Sequence, residues 1–146
     1  MSDNSATVDP AELDRFAREA DAWWDPDGSF AALHRLNPTR LGFIRTELLA
    51  HFGANASRLQ PFAGRSLLDI GCGGGLVAEP MARLGFRVTG IDAGSEAIAV
   101  AKAHAAAGGL AIDYRVGTAE ALAAAGESFD VVLALEVVEH VADLDL

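Results

Sequence analysis

LLDIGCGGGLVAEP, Leu67 to Pro80, is the stretch whose reading decides the fold. Its apolar opening, with Ser66 in front, reads as a strand, SLLDI, that carries one carboxylate, Asp69, near its end. Gly71, Gly73, Gly74 and Gly75 follow, and then an apolar helical stretch over about Leu76 to Leu84. A strand, a glycine loop and a helix in that order open a βαβ unit of the kind that holds a nucleotide-like ligand at the loop. Pro80 falls inside the helical stretch. It lacks an N–H and its ring crowds the preceding turn, so it should kink the helix or delay its start.

Toward the C-terminus the chain alternates short apolar runs with helical stretches. FRVTGID is a second strand. SEAIAVAKAHAAAG is a helix with Ser95 as its cap and Gly108 past its end. LAIDYRV is a third strand, with Leu110, Ile112, Tyr114 and Val116 alternating. AEALAAAG is a short helix, and FDVVLAL is apolar nearly throughout, as a buried parallel strand should be. The rhythm predicts an α/β fold, a Rossmann-like doubly wound parallel sheet with helices on both faces. Toward the N-terminus, a helix is expected from Ala11 to about Trp23, with Leu13, Phe16, Ala17 and Ala20 on one face. DPDG, Asp25 to Gly28, is a turn. LNPTRLGFIRTELLAHFG is a second helix, capped by Asn37, with Pro38 at its first position and Gly53 beyond its end. Its stripe is Leu41, Ile44, Leu48 and Leu49. GANASRLQPFAG is a loop with a short turn over Leu59 to Pro61. The expected organisation is a disordered tail over 1–10, an N-terminal helical segment over 11–60 and the ligand-binding sheet domain over 61–146.

Composition narrows the function classes. The 146 residues suit one domain, and 51% are hydrophobic, enough for a core. The net charge of −10 argues against nucleic acid and against purely electrostatic docking on anionic lipid. No run of about 18 apolar residues is present, and the first residues are polar and acidic rather than a secretory leader. Cys72 is the single cysteine, so no internal disulfide forms. A reducing, cytoplasmic setting is expected.

The acidic residues around the glycines select the ligand. Dinucleotide enzymes favour G-x-G-x-x-G, whereas Gly71, Gly73 and Gly75 are followed by Leu76 where that pattern needs its third glycine. Asp69 would repel a pyrophosphate but complements S-adenosylmethionine, which carries an ammonium and a sulfonium and no phosphate. Asp92, about 20 residues beyond Gly71, can accept hydrogen bonds from ribose hydroxyls. The alternative is that the glycines serve backbone packing and Asp92 caps a strand end. Joined in one βαβ context, the features favour cofactor binding, with S-adenosylmethionine ahead of NAD. Cys72 reads as a small residue fitted between glycines, with no histidine near it in sequence to activate it.

LLDIGCGGG, VTGID, GTAEAL and FDVV together resemble a class I methyltransferase. WWDPDGSFAALHRLNPTRLGFI, the DIGCGGGLVAEPMARLGFRVTGID core and ALEVVEHV resemble, more narrowly, the ubiquinone-biosynthesis O-methyltransferase family, over about Phe16 to Val141. The double tryptophan and LHRLNPTR are much more specific than the glycine loop. The resemblance implies S-adenosylmethionine-dependent methylation of a polyprenyl catechol hydroxyl and later of a demethylated ubiquinol hydroxyl. It implies cofactor contacts at Arg40, Gly71, Asp92 and Leu135, to which the motif adds Asp69 and Gly73. Arg40 has a physical case of its own, a bidentate fork on the methionine carboxylate, against the alternative of a solvated arginine in a helix's first turn. Many methyltransferases have GDAE where this chain has GTAE. Thr118 removes that carboxylate contact to the adenine and leaves the backbone at Ala119 to meet it.

Methyl transfer to a phenol, whose pKa is about 10, requires a base or a metal. Glu136, Glu139 and His140 in LEVVEH follow the fourth strand, at the sheet edge where ligands bind. At i, i+3 and i+4 they share one side of a helix. Two carboxylates and an imidazole could hold Mg²⁺, Mn²⁺ or Zn²⁺, with both catechol oxygens completing the shell. The family's E-x-x-E-H metal pattern agrees, with His140 and Glu136 as the catalytic candidates; His140 acting directly as base is the alternative, and solvated helix-start residues are the plain reading. His34 belongs to the family segment facing cofactor or lid, and His51 and His104 read as surface helix residues.

The family's sheet has more strands than the four recognisable here, so the chain reads as a fragment. FDVVLAL would then be an apolar open edge, and the fragment alone is expected to be poorly soluble or inactive. Expected partners are the polyprenyl phenol or quinol, a quinone-biosynthesis complex or a peripheral contact with the inner membrane, and no nucleic acid. The rivals are a class I methyltransferase with another small acceptor, a non-catalytic S-adenosylmethionine-binding module and an NAD-binding oxidoreductase fragment.

Overall fold

The computed structural model describes residues 10–135. In chain order the elements are α1 (Pro10–Trp24), α2 (Ala31–Phe52), β1 (Ser66–Ile70), α3 (Ala78–Arg83), β2 (Arg87–Asp92), α4 (Ser95–Ala107), β3 (Asp113–Val116), α5 (Ala119–Ala124) and β4 (Val131–Ala134). The four strands form one parallel sheet in the order β3-β2-β1-β4. The first two crossovers step from β1 outward to β3, and the third returns past β1 to β4. Right-handed crossovers therefore put α3 and α4 on one face and α5 on the other. The order reverses beside β1, and that switch point opens a crevice at the carboxyl ends of the strands, where the glycine loop lies.

The core explains why β1 is the central strand. Leu67 and Leu68 are buried, and α4 covers the sheet with Ile98, Ala101 and Ala105. Phe62 stacks on Phe86 with ring centroids 4.7 Å apart, closing the end where β1 begins. There Asp130 accepts the Ser66 N–H at 2.8 Å and returns its own N–H to Ser66 Oγ at 2.9 Å, which sets the β1–β4 register.

Helix α1 ends where sequence reasoning places it, but α2 starts earlier. Its first residue is Ala31, with Asn37 and Pro38 inside it. Asn37 is therefore no cap. It is a buried polar residue whose amide reaches the glycine-loop segment. The early turn is held instead by tertiary contacts: Trp23 stacks on Phe30 at 3.8 Å, and His34 Nε2 lies 2.9 Å from the Trp23 carbonyl. Gly53 does end α2, in the left-handed conformation at φ 58°, and the Ala54 N–H donates to the Leu49 carbonyl. Helix α3 starts only at Ala78, which puts Pro80 in its first turn, where a missing N–H is tolerated. Ser95 is the first residue of α4 rather than its cap: Gly94 takes the cap position, its carbonyl accepting the Ile98 N–H at 3.2 Å, and Asp92 Oδ1 holds the Gly94 N–H at 2.8 Å. Strand β3 is shorter than LAIDYRV, beginning at Asp113.

Candidate functional site

The glycine loop is shaped by backbone that only glycine adopts easily. Gly71, Gly73 and Gly75 have φ of 67°, 52° and 95°. The Cys72 N–H donates to the Ile91 carbonyl at 3.0 Å, tying the loop to β2. Asp92 Oδ2 accepts the Gly73 N–H at 3.1 Å. Asp92 thus serves as the strand-end brace of the plain reading. A carboxylate has about four lone-pair sites, so it keeps acceptor capacity for a ligand hydroxyl. Tyr114 packs under the loop: a Cβ on Gly75 would lie 2.5 Å from its hydroxyl, and one on Gly90 would lie 2.6 Å from its ring.

Above the loop lies a cavity of about 160 Å³, which brings together Arg40, Asp69, Gly71, Gly73 and Leu135, walled by Trp23. Five of the residues singled out in the sequence therefore meet in one place. Asp92 stands beside that cavity without lining it. The Gly117 N–H donates to the Asp92 carbonyl at 3.0 Å, so the start of α5 at Ala119 lies next along the same strand edge. Thr118 caps α5, its hydroxyl accepting the Ala121 N–H at 3.3 Å. Glu136, Glu139 and His140 lie outside the described residues, and among the described residues no group of three or more metal-ligating side chains occurs.

Electrostatics make Asp69 the unusual group. It is 3% exposed in the middle of a parallel sheet. Burial pushes its pKa up to about 7; the Arg40 guanidinium pulls it down and Asp92 pushes it up further. Burial and the two carboxylates also push the Cys72 thiol up, so this thiol is no nucleophile, in keeping with its role as a small residue between glycines.

Three contributors were not visible as such in the sequence. Asn37 Oδ1 accepts from Arg40 Nη2 at 2.8 Å while its Nδ2 donates to the Leu76 carbonyl at 2.8 Å. Trp23 lies against the glycine loop, where a Cβ on Gly74 would come 2.7 Å from its ring. His104 is not a surface residue: it is half-buried, bonded to the buried Glu79 and stacked on Trp24. The signal that could have found the last group is Glu79, a carboxylate in the apolar run after the glycines that demands a partner.

A family model described as "Methyltransferase domain" matches residues 68–146. The ubiquinone biosynthesis O-methyltransferase of Brucella anthropi is 59% identical over 140 residues, covering 96% of this chain and 56% of its own length. That of Sinorhizobium medicae is 58% identical over 139 residues, covering 95% and 56%. The chain thus spans about half the length of the curated relatives it matches. Among solved structures, the bifunctional kinase-methyltransferase WbdD is similar at 30% identity and TM-score 0.57, over 70% of this chain and 22% of that one.

Proposed function

This chain belongs to the methyltransferase domain family, and we propose that it carries the S-adenosylmethionine-binding part of an O-methyltransferase of ubiquinone biosynthesis. The acceptors would be the hydroxyl of a 2-polyprenyl-6-hydroxyphenol and that of a 3-demethylubiquinol. The observation that carries the cofactor reading is the joint presence of Arg40 and Asp69 in one cavity at the glycine loop. An amino-acid end is a zwitterion, and a half-buried cation beside a buried anion is its complement. The donor set fits S-adenosylmethionine: Arg40 for the carboxylate, Asp69 for the ammonium, Asp92 for the ribose hydroxyls and the backbone at Ala119 for the adenine. At about 160 Å³ the cavity is smaller than the roughly 300 Å³ at which ligand pockets begin. It suits the amino-acid end, with the nucleoside along the open strand edge past Asp92.

The bound cofactor supplies a methyl group on an electron-poor sulfur. The chain's own task is to hold the two ends of that molecule, exclude water and present a deprotonated oxygen in line. Leu135 reaches the cavity at the carboxyl end of β4, and Glu136 is the next residue in the chain. That continuity supports Glu136, Glu139 and His140 as the reacting end: the three would hold Mg²⁺, Mn²⁺ or Zn²⁺, which would supply a Lewis acid that lowers the pKa of the acceptor hydroxyl, or His140 would instead take the phenolic proton directly. A polyprenyl substrate is delivered from a membrane or by partner proteins of a quinone-biosynthesis complex. No helix among the described residues is long and apolar enough to cross a membrane; peripheral contact with the inner membrane is the reading that a polyprenyl substrate favours.

Calorimetry on the full-length protein with S-adenosylhomocysteine and with NAD tests the cofactor: binding of the first alone is expected, and binding of NAD alone overturns the reading. Turnover of catechol quinone precursors tests the substrate class, and activity confined to other small acceptors overturns it.

A further inference from the structure

The double tryptophan is, with LHRLNPTR, a motif the sequence analysis singled out in the N-terminal segment, and nothing in the cofactor reading uses Trp24. Its surroundings give it a task. The Trp24 Nε1–H donates to the Gly74 carbonyl at 3.1 Å, directly on the glycine loop. Its ring stacks on His104 with centroids 3.9 Å apart and planes 3° from parallel. His104 Nδ1 in turn lies 2.5 Å from Glu79 Oε2, and the Glu79 side chain is 2% exposed. Glu79 returns to the loop through its backbone, its N–H donating to the Gly75 carbonyl at 3.0 Å. The chain of contacts is closed: loop carbonyl, indole, imidazole, buried carboxylate, loop carbonyl. It links the last residue of α1 to α4 and to the first turn of α3, with the loop between them. A buried carboxylate is costly unless paired, so Glu79 fixes His104, and a fixed imidazole face orients the indole. The stack on His104 and the hydrogen bond to the Gly74 carbonyl together fix the indole.

We propose that Trp24 is a positioning residue for the cofactor, holding the Gly74 carbonyl so that the N-terminal helix, through His104 and Glu79, sets the binding shape of the glycine loop. This rests on the reading of that loop as the S-adenosylmethionine site. Two variants of the full-length protein separate the parts. Trp24→Phe keeps the stack and loses the N–H. His104→Gln keeps a hydrogen-bonding group for Glu79 and loses the ring.

Each variant should weaken S-adenosylhomocysteine binding by about fivefold, the size of one lost hydrogen bond. The effect should fall on KM for S-adenosylmethionine rather than on kcat, and the wild-type Trp24 indole N–H resonance should shift when S-adenosylhomocysteine is added. Variants that bind as tightly as wild type overturn the proposal, as do variants that lose thermal stability with KM unchanged. Should neither variant fold, an indole resonance unmoved by the ligand overturns it. A wild-type protein that binds no S-adenosylhomocysteine overturns the cofactor reading first and this inference with it.

Discussion

Asn37 and Arg40 form one unit on α2: Asn37 Oδ1 accepts from Arg40 Nη2 at 2.8 Å, and the other end of the same amide donates to the Leu76 carbonyl at 2.8 Å. The arginine that lines the cavity is thereby tied to the backbone of the glycine-loop segment it faces. Asn37→Ala leaves a buried carbonyl without its donor, a cost of about 1–3 kcal/mol, and frees the guanidinium to turn. Asn37→Asp removes the donor but keeps the acceptor for Arg40. Thermal unfolding should show both variants destabilised. Titration with S-adenosylhomocysteine should show the alanine variant weakened more than the aspartate variant. Equal affinities in the two would mean that Arg40 needs no such support.

Asp69 predicts a conflict between stability and binding. Its pKa is 3.8 when unfolded and about 7 when folded. Between those values the folded state holds a proton that the unfolded state has released, so this residue's contribution makes stability fall as pH rises from about 4 to 7, then level off. Asp69→Asn removes that slope. In denaturant titrations the stability of Asp69→Asn minus that of wild type should grow across this window to on the order of 4 kcal/mol by pH 8. A flat difference would show that burial does not strain this carboxylate. Cofactor binding moves the other way. An ammonium needs the ionised form, so wild-type affinity should fall up to about tenfold for each pH step of one below about 7, and Asp69→Asn should bind poorly at every pH.

Gly74 isolates sterics from backbone strain, because its φ is not among the positive values and any residue can adopt it. A methyl group there would come 2.7 Å from the Trp23 ring and must displace it from the cavity wall. Gly74→Ala should therefore weaken S-adenosylhomocysteine binding, and Trp23→Leu should too. The double variant should be little worse than either, since the indole is already displaced. Additive losses in a double-mutant cycle would show that the two residues act separately.

How much of this was legible in the sequence depended on the range of the interaction. SLLDI coincides with β1, and Asp69, Gly71 and Gly73 line one cavity at its carboxyl end, because strand, loop and crevice are set by local pattern. Asn37 misled because an Asx–Pro pair is a helix-start signal only when nothing else claims the side chain. Here the Leu76 carbonyl, far along the chain, claims it. His104 misled for the same reason. On α4 alone it lies in the last turn of a helix, and only packing brings Glu79 and Trp24 to it. Asp92 was legible as a strand-end brace, but its partner, the Gly73 amide, was not, since tertiary turn geometry fixes which loop amide it holds.

The reacting end gives the sharpest functional test. Glu136 follows Leu135, which lines the cavity, and with Glu139 and His140, three and four positions further along the sequence, it offers two hard oxygen donors and an imidazole. If these hold a divalent ion, Glu136→Ala in the full-length protein should abolish the metal dependence of methyl transfer and lower its rate, with S-adenosylhomocysteine affinity retained because Arg40 and Asp69 are untouched. If His140 instead acts alone as base, His140→Ala should shift the pH–rate profile toward the phenol's own ionisation near pH 10, and chelators should leave wild-type activity intact. Measuring rate against pH with and without chelator therefore separates metal-assisted activation of the phenol from direct proton abstraction. An unchanged metal response in Glu136→Ala would remove this residue from the site.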